Sequence, residues 1–466
     1  MKPHSRDPQA NRLSPSEAGS RLTRAIVIAP FRRGAAVRGA GAGEPKRSND
    51  ARLEEAIGLA RAIDLDVVEA GLIGLSEIRP ATYLGKGKVE EIAGLVKSLE
   101  AALVVMDCAV SPVQQRNLEK AWNAKVLDRT GLILEIFGRR AHTREGALQV
   151  ELAHLNYQKS RLVRSWTHLE RQRGGFGFLG GPGETQLEAD RRLIQERIAR
   201  IERELEGVKR TRKLHRDSRK RVPYPIVALV GYTNAGKSTL FNRMTRADVL
   251  SADMLFATLD PTLRAVDLPH GTRMILSDTV GFISDLPTML VAAFRATLEE
   301  VIEADVILHV RDVAHEDTEA QAHDVGEVLR QLDIDPDDGQ RLIEVWNKID
   351  LVAADRRLQL ANMAERRPAD RRPVLVSATT GEGLDRLEEA IEARVVAGRI
   401  TLDVTLDPAD GAGSSWLHRH SEVLAKATAP DGTLTMTVRV DKEKADRVRR
   451  KFGVLVQEAD RARLRA

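Results

Sequence analysis

Apolar positions change rhythm several times along the chain. From Asp50 onward, Leu53, Ile57 and Ala60 recur at helical spacing. Val67 and Val68 read as a strand, and Ile92, Leu95, Val96 and Leu99 line a second helix. The run 103–106 is a short buried strand, and Leu118 and Trp122 fall on a further helix. A recurrence every three to four residues marks one helix face, while a short apolar run marks a buried strand. With Ile26, Val27 and Ile28 as a first strand, this alternation predicts an α/β domain with a mainly parallel sheet over residues 21–144. Residues 1–20 carry no such pattern and are expected to form a disordered tail; 34–49 is Gly/Ala-rich and reads as a loop.

Over 145–222 the rhythm becomes heptad-like. Leu148, Leu152, Leu155, Leu162, Trp166 and Leu169 form one series, and Leu187, Ile194, Ile198, Ile201, Leu205 and Val208 a second. A Gly/Pro-rich break over 174–183 separates them, so the segment predicts an antiparallel helical hairpin. Residues 223–398 return to α/β alternation, with strands expected at 226–230, 274–276, 306–310, 342–346 and 374–376. Residues 399–466 predict a small α+β domain of ferredoxin-like type, with an alternating strand over 433–440 and a basic helix near 443–451. The fold class is thus α/β and multi-domain.

The chemistry concentrates in one of these parts. Gly231-Tyr232-Thr233-Asn234-Ala235-Gly236-Lys237-Ser238, followed by Thr239, is a complete G-x4-G-K-S between a strand and a helix. Its amides can close around phosphates, Lys237 can meet the β- and γ-phosphates, and Ser238 can ligate Mg²⁺. Asp278-Thr279-Val280-Gly281 begins forty residues after Ser238. Asp278 there can hold Mg²⁺ through water, and the Gly281 amide can reach a γ-phosphate. Thr258, within Phe256-Ala257-Thr258-Leu259-Asp260, is the candidate second hydroxyl ligand of Mg²⁺, unless it is a plain surface threonine. Lys237, Thr258 and Gly281 form the candidate catalytic set. Asn347-Lys348-Ile349-Asp350 follows another strand. The Asp350 carboxylate can accept from guanine N1 and its 2-amino group, a pattern adenine lacks. Ser377-Ala378-Thr379 can place an amide near guanine O6. Each set lies at a strand's carboxyl end, where open α/β sheets bind ligands. Phe282 stands where some GTPases carry a water-orienting Gln, so slow unaided hydrolysis is expected, unless another residue positions the water.

Composition sharpens this picture. At 466 residues the chain is long enough for about three domains. A single cysteine, Cys108, excludes an intrachain disulfide and a multi-cysteine zinc site. No apolar run approaches the ~20 residues of a membrane span, so a cytoplasmic protein is the expectation. The whole chain nets +4, yet segment 209–221 alone holds eight Lys/Arg against one Asp, leaving the remainder slightly acidic. Lys209, Arg210, Arg212, Lys213, Arg216, Arg219, Lys220 and Arg221 therefore form a concentrated cationic segment. It is either a solvated helix end or a site for RNA phosphates. Phe176 and Phe178, on the Gly-rich hairpin tip, either fold back onto the hairpin or stack on bases; RNA contact is the favoured reading for both features.

The sequence resembles the HflX GTPases, in the Obg–HflX branch of translation-factor-related P-loop GTPases. The resemblance spans about 25–450. It rests on GYTNAGKSTLFN, FATLDPT, DTVGFI, NKID and SAT, and on ATYLGKGKVEEI, SPVQQRNLEK, DRTGLILEIFGRRAHTREGALQVELA and GGFGFLGGPGETQLEADRR. It implies binding of GTP and GDP, Mg²⁺ as cofactor, and the large (50S) ribosomal subunit with its rRNA as partner. Family members are linked to dissociating stalled or idle ribosomes under stress, and their hairpin loop approaches the peptidyl transferase region. Asn234 matches the Asn that K⁺-activated relatives use; it is otherwise a turn residue. Family N-terminal domains have been associated with ATP, for which Leu84-Gly85-Lys86-Gly87-Lys88 is the nearest candidate here; an RNA-touching basic loop is the other reading. The alternative function is an ATP- or GTP-dependent RNA-remodelling or ribosome-assembly factor. A monomer is expected, although no feature fixes the oligomeric state.

Overall fold

The computed structural model describes residues 22–33, 47–172, 182–219, 224–246, 256, 262–285, 298–397 and 399–458. The N-terminal part alternates strand and helix: β1 (Thr23–Arg32), α1 (Asn49–Arg61), β2 (Leu65–Leu75), α2 (Lys86–Ser98), β3 (Leu103–Met106), α3 (Pro112–Trp122), β4 (Lys125–Asp128) and α4 (Arg129–Arg140). The strands are all parallel in the order β2-β1-β3-β4. β1 is buried on both faces from Ala25 to Ala29, as a central parallel strand must be. Helix starts are chemically marked. Ser48 caps α1 by accepting from the Ala51 amide, and Ser111 and Gln114 form a reciprocal capping box on α3.

Two long helices follow, α5 (Arg144–Gln172) and α6 (Pro182–Arg219). Glu151 pairs with Arg197 at 2.7 Å and Arg144 with Glu204 at 3.9 Å, a falling register that makes the hairpin antiparallel as expected. Ile198, Ile201 and Leu205 of the predicted apolar series are buried. The predicted break proves shorter than read, because α6 already contains Pro182 and Gly183.

The next sheet holds β5 (Ile226–Gly231), β6 (Thr262–Asp267), β7 (Arg273–Asp278), β8 (Val306–Asp312), β9 (Leu342–Asn347) and β10 (Val374–Leu375). Its order is β10-β9-β8-β5-β7-β6. Only β6 runs antiparallel to its neighbour among these pairings. Helices α7 (Lys237–Thr245), α8 (Glu299–Ile302), α9 (Thr318–Gln331), α10 (Ala354–Glu365) and α11 (Leu384–Ala397) connect or flank the strands. The sequence reading lacked β6, whose residues Arg264, Ala265 and Asp267 are exposed on the sheet edge and so leave no clean apolar alternation.

The last part runs β11 (Arg399–Leu406), α12 (Gly411–His420), β12 (Glu422–Thr428), β13 (Leu434–Asp441), α13 (Lys442–Phe452) and β14 (Val456–Glu458). The antiparallel order β12-β13-β11-β14 makes this a ferredoxin-like βαββαβ unit. Leu402, Val404, Leu406, Met436, Val438 and Val440 bury alternate positions against the helices.

Candidate functional site: a nucleotide cradle held from outside

Residues 231–238 bend between the carboxyl end of β5 and the start of α7. The bend depends on missing side chains. A Cβ on Gly236, at φ +91°, would lie 2.3 Å from Asn347 Nδ2, and one on Gly231 would lie 2.2 Å from the Val310 carbonyl oxygen. Asn347 ties the cradle together: its Nδ2 donates to the Ala235 carbonyl at 2.8 Å and its Oδ1 accepts from the Ala378 amide at 3.0 Å. The phosphate loop and the two segments expected to read the base are thereby one hydrogen-bonded unit.

Lys237 is buried and its Nζ donates to the carbonyls of Gly231 and Tyr232, at 3.1 and 2.7 Å. Burial pulls its pKa down to about 8, against the attraction of Asp278. Ser238 Oγ donates to Asp278 Oδ2 at 2.7 Å. This hydroxyl and carboxylate, two hard oxygen donors at the loop's base, fit Mg²⁺. Thr239 follows Ser238 on the first turn of α7. The Thr279 hydroxyl bonds the Leu229 carbonyl and Val280 is in the core, so this pair offers phosphates only its backbone. Gly281 passes close to the loop: a Cβ there would lie 2.9 Å from Thr233 Cα and 3.1 Å from Lys237 Nζ. Asn234 is exposed at φ +58° and lines, with Thr233, a cavity of about 300 Å³.

On the base side, Lys348 adopts φ +64° and its Nζ pairs with Asp312 at 2.8 Å. Asp350 is exposed, with its carboxylate open to a ligand. The amides of Ser377 and Ala378 are committed to Glu382 O and Asn347 Oδ1. Of the amides in this segment, that of Thr379 carries no such bond among the described residues. Phe256 is buried at φ +57° and packs edge-on against Phe137 of α4, ring centres 4.7 Å apart, so its side chain faces the N-terminal part rather than phosphate. Ala257, Thr258, Leu259 and Asp260 lie outside the described residues. So do Phe176, Phe178, Lys220 and Arg221. Lys209, Arg210, Arg212, Lys213, Arg216 and Arg219 lie on the last turns of α6, away from the cradle in sequence and continuous with the hairpin.

The motifs gave no hint of what holds the cradle from outside. Phe282 is buried and zipped onto the phosphate loop, its amide bonding Gly231 O at 3.1 Å and its carbonyl accepting from Thr233 N at 2.7 Å. The Ser284 amide donates to the Tyr232 hydroxyl at 2.7 Å. That hydroxyl and the Ser284 hydroxyl both reach Glu55 of α1. Arg129, the first residue of α4, bonds Glu55, Asp107 and the Ser284 carbonyl, the last at 2.8 Å. Arg47 adds a bond to Glu55 at 3.0 Å and lies over the Tyr232 ring at 4.9 Å. Burial would raise the Glu55 pKa, but Arg129 and Arg47 hold it down at about 2. The N-terminal part therefore grips both the phosphate loop and the segment after Gly281.

The proposed ATP segment has no comparable walls. Gly85 caps α2 in open space, and Lys86 and Lys88 pair with Glu90 and Glu91 on their own helix.

A Gly-rich loop between strand and helix, a Ser/Asp pair at its base and an N-K-x-D loop clipped to it define a P-loop GTPase. Family models match along the chain: GTP-binding GTPase N-terminal over 50–138, GTP-binding GTPase Middle Region over 140–219, 50S ribosome-binding GTPase over 226–348, and HflX C-terminal domain over 362–462. The GTPase HflX of Magnetococcus marinus is 51% identical over 393 residues, 84% of this chain and 89% of that protein. The GTPase HflX of Escherichia coli is 46% identical over 361 residues, 78% and 83% of the two chains. A GTP-binding protein from Sulfolobus solfataricus, solved in complex with GDP, superposes with a TM-score of 0.43 at 21% identity, covering 81% of this chain and 99% of that one. The chain belongs to the HflX GTPase family.

Proposed function

We propose that this GTPase binds the large ribosomal subunit in the cytoplasm and uses its nucleotide state to dissociate stalled or idle ribosomes. The parts are an N-terminal domain over 21–144, a hairpin arm over 145–222, a G domain over 223–398 and a C-terminal domain over 399–466. The observation that carries the reading is the joint at Glu55. There the segment after Gly281, whose position depends on the γ-phosphate, is bonded to the domain that bears the arm. The basic end of α6 supplies phosphate contacts to rRNA. The match to a model described as a 50S ribosome-binding GTPase supports the partner.

In the reaction, water attacks the γ-phosphoryl group and GDP leaves. Lys237, the loop amides and the Gly281 amide stabilise the charge that develops on the bridging and equatorial oxygens. Mg²⁺, held through Ser238, Thr258 and Asp278, supplies further charge neutralisation when bound. Phe282 is buried and offers the water no hydrogen bond, so unaided turnover is slow and the bound subunit raises it. Asn234, exposed within the loop, would be the residue that holds K⁺ beside the phosphates. Sedimentation with purified large subunits tests the reading. Co-sedimentation should be stronger with a non-hydrolysable GTP analogue than with GDP. Equal co-sedimentation in both states, or none, rejects it.

A further inference from the structure

The two helices of the C-terminal domain cover one face of its sheet and turn their outer surfaces away from it. α13 carries six Lys/Arg against two acidic residues, and α12 has Arg419, His418 and His420 in its last turn and no acidic residue. Lys444, Arg447, Arg450, Lys451, Arg419 and His418 are exposed. The last turns of both helices converge on Trp416. His420 stacks on its ring at 4.3 Å, Phe452 meets it edge-on at 5.6 Å, and the Lys451 ammonium lies 5.2 Å from its centre. Just beyond, Val454 is 95% exposed and Leu455 46%. A helix C-terminus attracts cations through its dipole, about half a charge's worth each. That accounts for one or two of these residues and leaves the excess unexplained.

The patch is also held in a set orientation. Arg439 of β13 donates to the Thr272 hydroxyl at 2.8 Å, in the turn between β6 and β7. Glu392 of α11 accepts from the amides of His270 and Thr272 in that same turn, at 3.0 and 3.2 Å. Glu422 of β12 pairs with Arg399 at 2.9 Å. The Arg439–Thr272 bond, with both partners largely buried, ties the domain to the β6–β7 hairpin.

We infer that this outer helical surface binds RNA through its phosphate backbone, as a second contact separate from the hairpin arm. Charge complementarity selects the occupant: a surface with cations in clear excess suits a polyanion, and the Trp416 ring, already covered by His420 and Lys451, leaves backbone contact rather than base stacking. The inference rests on the large-subunit reading for the identity of the RNA but not for its chemistry.

The test uses the full chain with Arg419→Gln, Arg447→Gln and Arg450→Gln combined, none of which touches the cradle or the Thr272 joint. Binding is measured against salt with a fluorescein-labelled RNA stem-loop and with purified large subunits. Three lost phosphate contacts should flatten the slope of log K against log[salt] by about two units on both probes. GTP hydrolysis without RNA should match the parent chain. The triple Arg→Lys variant should restore the slope, which separates lost charge from misfolding. An unchanged slope on the stem-loop overturns the inference, including when large-subunit binding alone weakens, since the partner is then an acidic protein. If the parent chain fails to bind large subunits, the functional reading falls while the stem-loop still decides this one.

Discussion

One side chain of the cradle, Lys237, has acid–base behaviour that ligand binding must change. Lys237 is held near a pKa of about 8 by burial in the absence of phosphate. A bound polyphosphate favours the ammonium and raises that value, so binding draws in a proton at pH above 8 and none well below it. Affinity for GDP should then fall as pH rises past 8, by at most tenfold per pH unit. Calorimetry at pH 8.5 in buffers of different ionisation enthalpy should report uptake approaching one proton, and Lys237→Arg should abolish it. Asp350, in the proposed guanine-reading role, would select through geometry instead. Asp350→Asn replaces an acceptor by a group that can donate, which suits the 2-oxo group of xanthine and opposes the 2-amino group of guanine. Each charge-assisted bond is worth roughly 1.5–3 kcal/mol, so GTP affinity should drop at least a hundredfold while XTP gains. An unchanged GTP/XTP ratio would remove Asp350 from the base site. Both residues stand out in the sequence because phosphate and guanine each demand a particular functional group at a particular spacing. Tyr232 was legible only as a loop position. Its hydroxyl works on Glu55, which is 177 residues away in the chain, and no local pattern records such a partner.

At the scale of elements, strand–loop–helix geometry and the buried ion cluster set the tolerances. Gly236→Ala places a methyl group against Asn347 Nδ2 and so breaks the bond that joins β9 to the loop. Nucleotide binding should be lost, and the nucleotide-free protein should lose about 1–3 kcal/mol of stability, readable as a lower Tm. Glu55 is the carboxylate shared by α1, α4 and the phosphate loop. Glu55→Gln leaves the buried Arg129 with one charge partner fewer, a change of the kind that costs about 3–5 kcal/mol. The pH dependence follows from its depressed pKa. Its stabilising effect is complete above the unfolded value of 4.5 and fades as pH falls towards about 2. Protection of the Ser284 amide, its exchange rate set against the intrinsic rate at each pH, should fall over that acid range in the parent chain, and at neutral pH in Glu55→Gln. Helices were well read from sequence, because α5 and α6 are long and strongly periodic. The edge strand β6 was not, and within the ferredoxin-like unit, whose type was expected, only β13 and α13 were placed in advance. The other strands are half-exposed, and their pairing joins segments that only the three-dimensional register brings together.

Across the whole molecule, the buried core runs without a break from the N-terminal sheet into the GTPase sheet. Ala25, Val27, Leu132 and Phe137 share one cluster with Val230, Tyr232, Phe256 and Phe282. Val150 and Ala153 of α5 belong to the same cluster, so a movement of the segment after Gly281, as proposed for the γ-phosphate, would have a packed route to the arm. α6 has 38 residues and, at 1.5 Å per residue, is about 57 Å long, so a tilt of about 10° at its base displaces its far end by about 10 Å. Spin labels can read that displacement. Burial pushes the sole native thiol, Cys108, up to about 12, which keeps it un-ionised and slow to label at neutral pH. Leu193→Cys on α6 and Leu358→Cys on α10 replace side chains that are 60% and 65% exposed, and so add reactive thiols without opening the core. The distance between these labels should shift by several ångströms when a non-hydrolysable GTP analogue replaces GDP. In Tyr232→Phe, which removes the hydroxyl between Ser284 and Glu55, the shift should shrink while both nucleotides still bind. A distance indifferent to nucleotide would mean that the Glu55 joint holds the domains together but transmits nothing to the arm.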